Sequence, residues 1–144
     1  MNLPAVSLLT AMAACISPPM VATPPNGLPM IEISTGGGFS DVSLVRIFAD
    51  DTIQTKVFSR TNDPAPAFRQ GKAGTFATAV AVLGSEGIKA KAAQLPDPVI
   101  CTDYGVDYVK AEPPIAGFDQ VSTGCPGTAV TTLIDHVLAV LVAP

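Results

Sequence analysis

Between Met30 and Phe58 three β-type runs follow one another with a turn signal after each of the first two, and that succession commits this part of the chain to an antiparallel sheet. Ile31 and Ile33 alternate with Glu32 and Ser34, the period-two pattern of a half-buried strand. DVSLVRIF (residues 41–48) and TIQTKVF (52–58) are the next two runs, and Ala49-Asp50-Asp51 between them has the length of a tight hairpin turn. Asp accepts the left-handed backbone such a turn needs, less readily than Asn or Gly.

The stretch ISTGGGFSD (33–41) separates the first run from the second. It lacks the GK[ST] ending of a phosphate-binding loop, and its glycines do not have GxGxxG spacing. A phosphate cradle also needs a helix N-terminus behind the glycines, whereas DVSLVRIF is β-branched and alternating. The glycines are therefore expected to supply positive φ in a turn.

Residues 60–73 (RTNDPAPAFRQGKA) read as a polar loop. A helix is expected from an N-cap at Thr75 through FATAVAVL to about Leu83, weakened at Gly84 and Gly87 and resuming for a turn or two over 88–95. VICTDYGVDYVK (99–110) reads as a fourth strand, with Asp103 and Asp107 on its exposed face. Pro113-Pro114 is expected to turn the chain into a fifth strand at IAGFDQV (115–121). After Pro126, which suits a first helical position, Val130, Leu133, Ile134, Val137, Leu138 and Leu141 make an amphipathic stripe with Thr128, Thr131, Thr132, Asp135 and His136 opposite. The order is β-β-β-α-β-β-α: an α+β, two-layer domain over residues 30–144, with an antiparallel sheet of about five strands and two helices on one face.

The first 29 residues have a different character. No charged side chain precedes Glu32, and six of the 14 prolines lie in this stretch. Residues 1–14 are too short to span a bilayer but fit the apolar region of a signal peptide. Met12-Ala13-Ala14 before Cys15 resembles a bacterial lipoprotein cleavage box, which makes Cys15 a candidate for lipidation and residues 15–29 a stiff Pro-rich spacer. The stretch departs from that pattern in having no Lys or Arg near its start and in placing Met12 where Leu is usual; a buried N-terminal element with an ordinary thiol is the alternative.

Three cysteines support the same address. In an oxidising compartment Cys101 and Cys125 would pair, and a lipidated Cys15 accounts for the odd one. Closing that loop of about 25 residues would contribute about 3 kcal/mol in the chain-entropy picture. Two free buried thiols are the alternative. The expected location is the bacterial cell envelope, with the membrane contacted through the lipid.

The eight Lys and Arg residues are scattered and the net charge is −4, so nucleic acid is not an expected partner. The single histidine, His136, adjoins Asp135, but neighbours on a helix diverge by about 100°, a poor arrangement for a triad. Asp50/Asp51 and Asp103/Asp107 read as turn and strand-face residues, and neither Cys lies in a CxxC, so no metal, cofactor or catalytic residue is expected and the chain is read as no enzyme.

A strand entering GGF (37–39), LVRIF (44–48) with its Asp50-Asp51 hairpin, a helix, CTDYGVDY (101–108) and PGTAVTTLIDHV (126–137) together resemble the emfourin family. These are small bacterial protein inhibitors of thermolysin-like metalloproteases. The pattern is similar, too, to that of exported lipoproteins with an early GGF and a late C-x-D. The resemblance spans roughly residues 30 to 143; Asp41, the leader and the Cys101/Cys125 pair depart from it. It implies the fold, and a secreted or periplasmic protease as partner. The candidate contact is the loop Thr35–Ser40, with Gly36, Gly37, Gly38 and Phe39 at its tip. Phe39 either enters a partner pocket or folds back over the core. The rival function is a structural or envelope-assembly lipoprotein without inhibitory activity.

Overall fold

The computed structural model describes residues 27–94, 101–115 and 117–143. The expected signal peptide, the candidate lipidation site Cys15 and all but the last three residues of the expected spacer lie outside the described residues. The fold is α+β: a six-stranded antiparallel sheet carrying helices. In chain order the strands are β1 (Met30–Gly36), β2 (Val42–Phe48), β3 (Thr52–Phe58), β4 (Ala67–Gln70), β5 (Asp107–Ile115) and β6 (Phe118–Thr123), arranged β4-β3-β2-β1-β5-β6. The helices are α1 (Thr75–Val82), which runs through a π turn at Leu83–Gly87 into α2 (Ile88–Ala92), and α3 (Ala129–Ala139).

Register explains which face the helices take. Ile31 pairs with Ile47 and Ala111, and Ile33 with Val45 and Val109, so one side of the central strands is uniformly apolar. Ala79, Leu83 and Ala90 close over it from the first helical segment, and Val130, Leu133, Ile134 and Val137 from α3. The stripe expected of α3 is thus the buried one, with Leu138 and Leu141 at its margin. No described helix is long and apolar enough to cross a membrane.

Several local expectations are corrected. Residues 67–70 form a strand inside the expected polar loop, because β3 supplies a ladder for a segment too short to show alternation. The helix expected to weaken at Gly84 and Gly87 stays continuous there and widens into the π turn, a rare form that occurs mostly as a single turn inside an α-helix. β5 begins only at Asp107, since Asp103 is left-handed (φ 66°) and Tyr104 N–H bonds back to Cys101 O at 3.3 Å. Pro113 and Pro114 lie within β5, where the register with β6 shifts between Lys110 and Ile115, and a residue without N–H costs no ladder bond at such an irregularity. Pro126 precedes α3 by more than expected; Thr128 is the N-cap, its hydroxyl accepting from Thr131 N–H at 3.3 Å.

Thr75 is not the N-cap of α1. It is the first helical residue, and its hydroxyl donates to Lys72 O at 2.7 Å. The orphan N–H groups are met from the β2–β3 hairpin: the Asp51 carboxylate accepts from Gly74 N–H and Phe76 N–H, both at 2.8 Å. Asp51 is itself left-handed (φ 64°), while Asp50 accepts from Thr52 N–H at 2.9 Å. The two aspartates thus turn the hairpin and dock it on the helix. Asp51→Ala is expected to lower stability by about 2 kcal/mol, from the lost cap and the strained φ together, and Asp51→Asn by clearly less. Equal melting temperatures for the two variants would contradict the capping role.

Candidate functional site

The loop between β1 and β2 sits at one end of the sheet, and its glycines do turn the chain. Gly36, Gly37 and Gly38 have φ of 94°, 99° and 61°. Ser40 closes the turn, its N–H and hydroxyl both donating to Gly37 O at 3.0 and 2.9 Å. Side chains are excluded here for space as well, since a Cβ at Gly36 would stand 2.1 Å from Asp41 O and one at Gly38 2.5 Å from Asp103 O.

Phe39 is 74% exposed at the tip. It does not fold back over the core, because the backbone beneath it is already packed against a second loop. Its one ring contact of note is Arg60, whose guanidinium lies 5.4 Å from the ring centroid while Nη2 donates to Gly38 O at 2.9 Å. The cation therefore holds the ring and the loop carbonyl together.

The second loop is the turn 101–106. Cys101 and Cys125 are bonded, with Cα atoms 5.0 Å apart, within the span a disulfide requires. Cys101 N–H donates to Gly124 O at 2.9 Å, and Tyr104 makes an isolated bridge to Gly38. Gly105 lies so close to the first loop that a Cβ on it would be 1.9 Å from Gly36 O. Val106, 60% exposed, follows directly, its N–H beside Gly37.

Asp107 ties the two loops. It is buried, contrary to the exposed strand face expected of it, and its carboxylate accepts from Gly36 N–H at 2.9 Å and from the Tyr104 hydroxyl at 2.6 Å. The Tyr104 hydroxyl is pushed up to about 12, first by that bond to Asp107 and then by burial. The alternation held a signal for this burial: Asp107 shares its parity with Val109 and Ala111, both facing the helices. Arg60 had no such signal, as it lies in a segment without periodicity.

The result is a braced protrusion with two exposed apolar side chains, Phe39 and Val106, bordered by Arg60, Asp41 and Asp103. Such a surface can place an apolar side chain in a partner's pocket without ordering its own backbone first.

The face of the sheet turned away from the helices carries a polar array. Glu32 accepts from Arg46 Nε at 2.5 Å and the Tyr108 hydroxyl at 2.7 Å, and Arg46 reaches Gln54 at 3.2 Å. Burial pushes the Glu32 carboxyl up, but the bonds from Tyr108 and Arg46 outweigh it and hold it below its ordinary value. Tyr108 is pushed up to about 12 by burial and by Glu32. These groups satisfy one another, and among the described residues no buried side-chain polar atom lacks a partner.

His136 and Asp135 diverge as their helical positions require. His136 Nδ1 pairs with Glu86 of the π turn, whereas Asp135 lies toward Tyr104. Among the described residues no group of three or more His, Cys, Asp or Glu side chains is placed to hold a metal ion. No protein-family model matches the chain, and no curated protein sequence matches it.

Proposed function

We propose that this chain is an exported, lipid-anchored, non-catalytic protein-binding domain of the bacterial cell envelope, and that its partner is a secreted or periplasmic metalloprotease of the thermolysin class, which it inhibits. One observation carries the reading: Phe39 is largely exposed at the tip of a loop whose backbone is fixed by Asp107, Arg60 and the neighbouring turn. An exposed aromatic on a mobile segment would lose much of its contact energy to ordering, and here that cost is already met by folding. The resemblance to the emfourin family supports the choice of partner, since thermolysin-like proteases accept large apolar side chains in their specificity pocket. The paired cysteines support the exported location.

Burying a Phe side chain in a pocket contributes about 2 kcal/mol, so Phe39→Ala should weaken inhibition by at least tenfold. The assay is titration of a thermolysin-like protease with both proteins, with thermal melts to confirm that the variant is folded. Unchanged inhibition by folded Phe39→Ala would remove this loop from the mechanism. A wild type that leaves the protease fully active would instead favour a structural or envelope-assembly lipoprotein. Mass spectrometry of the membrane fraction tests the anchor: acylated Cys15 as the new N-terminus is the expected species, and unmodified Cys15 behind an intact Met1 would refute it.

A further inference from the structure

We infer that the Cys101–Cys125 bond governs the shape of the Phe39 loop, so that a dithiol reductant weakens the binding role proposed above, on which this inference rests. The coupling follows from what holds the turn 101–106. At its far end the turn continues into β5, whose pairing with β1 starts at Tyr108 opposite Ser34. At its near end it is held by the disulfide and by the bond from Cys101 N–H to Gly124 O. Between these points its backbone is the wall against which Gly36, Gly37 and Gly38 are packed, with Gly105 and Asp103 in direct approach. Three successive glycines at positive φ have many other conformations open to them, and the wall is what selects one.

The bond acts locally because the turn it holds lies outside the core, and only its Cys125 end is buried. The buried apolar cluster runs from Ile31 to Val137 and draws no residue from 36–41 or 101–106. Opening the disulfide therefore releases the turn without removing apolar contacts between sheet and helices.

Cys101 is partly exposed while Cys125 is buried, so Cys101 Sγ is the sulfur open to attack. A thiolate of a dithiol adds to Cys101 Sγ and the S–S bond breaks, its electron pair leaving on Cys125. The second thiol of the reductant then attacks its own sulfur in the mixed disulfide and expels Cys101. The reductant departs as a disulfide, having given two electrons, and its two protons end on Cys101 and Cys125.

Two amides report on the loop without any partner: Gly36, bonded to Asp107, and Ser40, bonded to Gly37. Hydrogen exchange is measured on the full chain oxidised, reduced with dithiothreitol, and as the C101S/C125S variant. At least tenfold faster exchange at Gly36 and Ser40, with central β1 and β5 amides unchanged, is the expected result. Unchanged exchange at the two reporters would overturn the inference. So would equal acceleration across the sheet, or global unfolding on reduction, since the bond would then serve the whole fold. In the protease titration C101S/C125S replaces reduced protein, because a dithiol also binds the protease's metal; its inhibition should be at least threefold weaker than wild type, and equal inhibition overturns the inference. Failure of wild type to inhibit would sink the proposed function and leave the exchange result to judge this one.

Discussion

Phe118→Ala is expected to lower the free energy of unfolding by about 4 kcal/mol, the range measured when a fully buried aromatic is truncated. Phe118 has no exposed surface and opens β6 at the point where the sheet meets the π turn. Its ring fills the space left by Gly87, where a Cβ would come within 2.7 Å of the ring edge. Ring and glycine are complementary, and the widened helical turn holds them so. Truncation leaves a void that the helix cannot close by itself, because Leu83 on the same turn is fully buried against the sheet and α3 packs on the other flank. Denaturant titration gives the measurement. A loss below about 2 kcal/mol would mean that the π turn collapses onto the sheet and that the packing there is adaptable. Phe118→Leu, which restores much of the volume, should recover a substantial part of the loss.

Gly105→Ala should be nearly as damaging, by a different route. The added methyl would sit 1.9 Å from Gly36 O and 2.7 Å from Gly37 Cα, and both are backbone atoms that no rotamer change can move. Either the turn 101–106 or the glycine loop must shift, with the Asp107 bonds to Gly36 N–H and the Tyr104 hydroxyl as the first interactions lost. Over-packing of this kind costs about 3 kcal/mol. The signature differs from that of Phe118→Ala. Amide chemical shifts of Gly36–Ser40 should move strongly in Gly105→Ala, whereas those around Phe118 should stay close to wild type. A fully stable Gly105→Ala protein with unmoved loop resonances would mean that the two loops are not in contact in solution.

These two positions mark where reading the chain residue by residue stops being sufficient. Alternation in 31–58 identified three strands and their antiparallel order, because each strand is half-buried and its inward residues recur at period two. The α3 stripe was legible for the corresponding reason at period 3.6. Even the glycine run declared itself a turn, and its three positive φ values follow from the absence of a side chain. The cysteine pairing follows from the count if the compartment is oxidising, and the two sulfurs are bonded.

Other features depended on contacts between residues distant in sequence. β4 is a strand because β3 offers it a ladder; nothing in Ala67-Phe68-Arg69-Gln70 alternates strongly enough to show it. The N-cap of α1 is contributed by Asp51, more than twenty residues away, so a local reading assigned the task to Thr75, the nearest hydroxyl. Asp107 reads as exposed because it alternates with Tyr104, Val106 and Tyr108, yet its carboxylate joins Gly36 to Tyr104 across two loops. The first three strands, the α3 stripe and the glycine turn were determined by the sequence alone, since periodicity and backbone conformation are local properties that each residue type biases directly. The braced, outward-facing Phe39 was decided only by the tertiary structure, because what keeps an aromatic ring off the core is the wall of backbone behind it, and that wall is the turn 101–106 from a distant part of the chain.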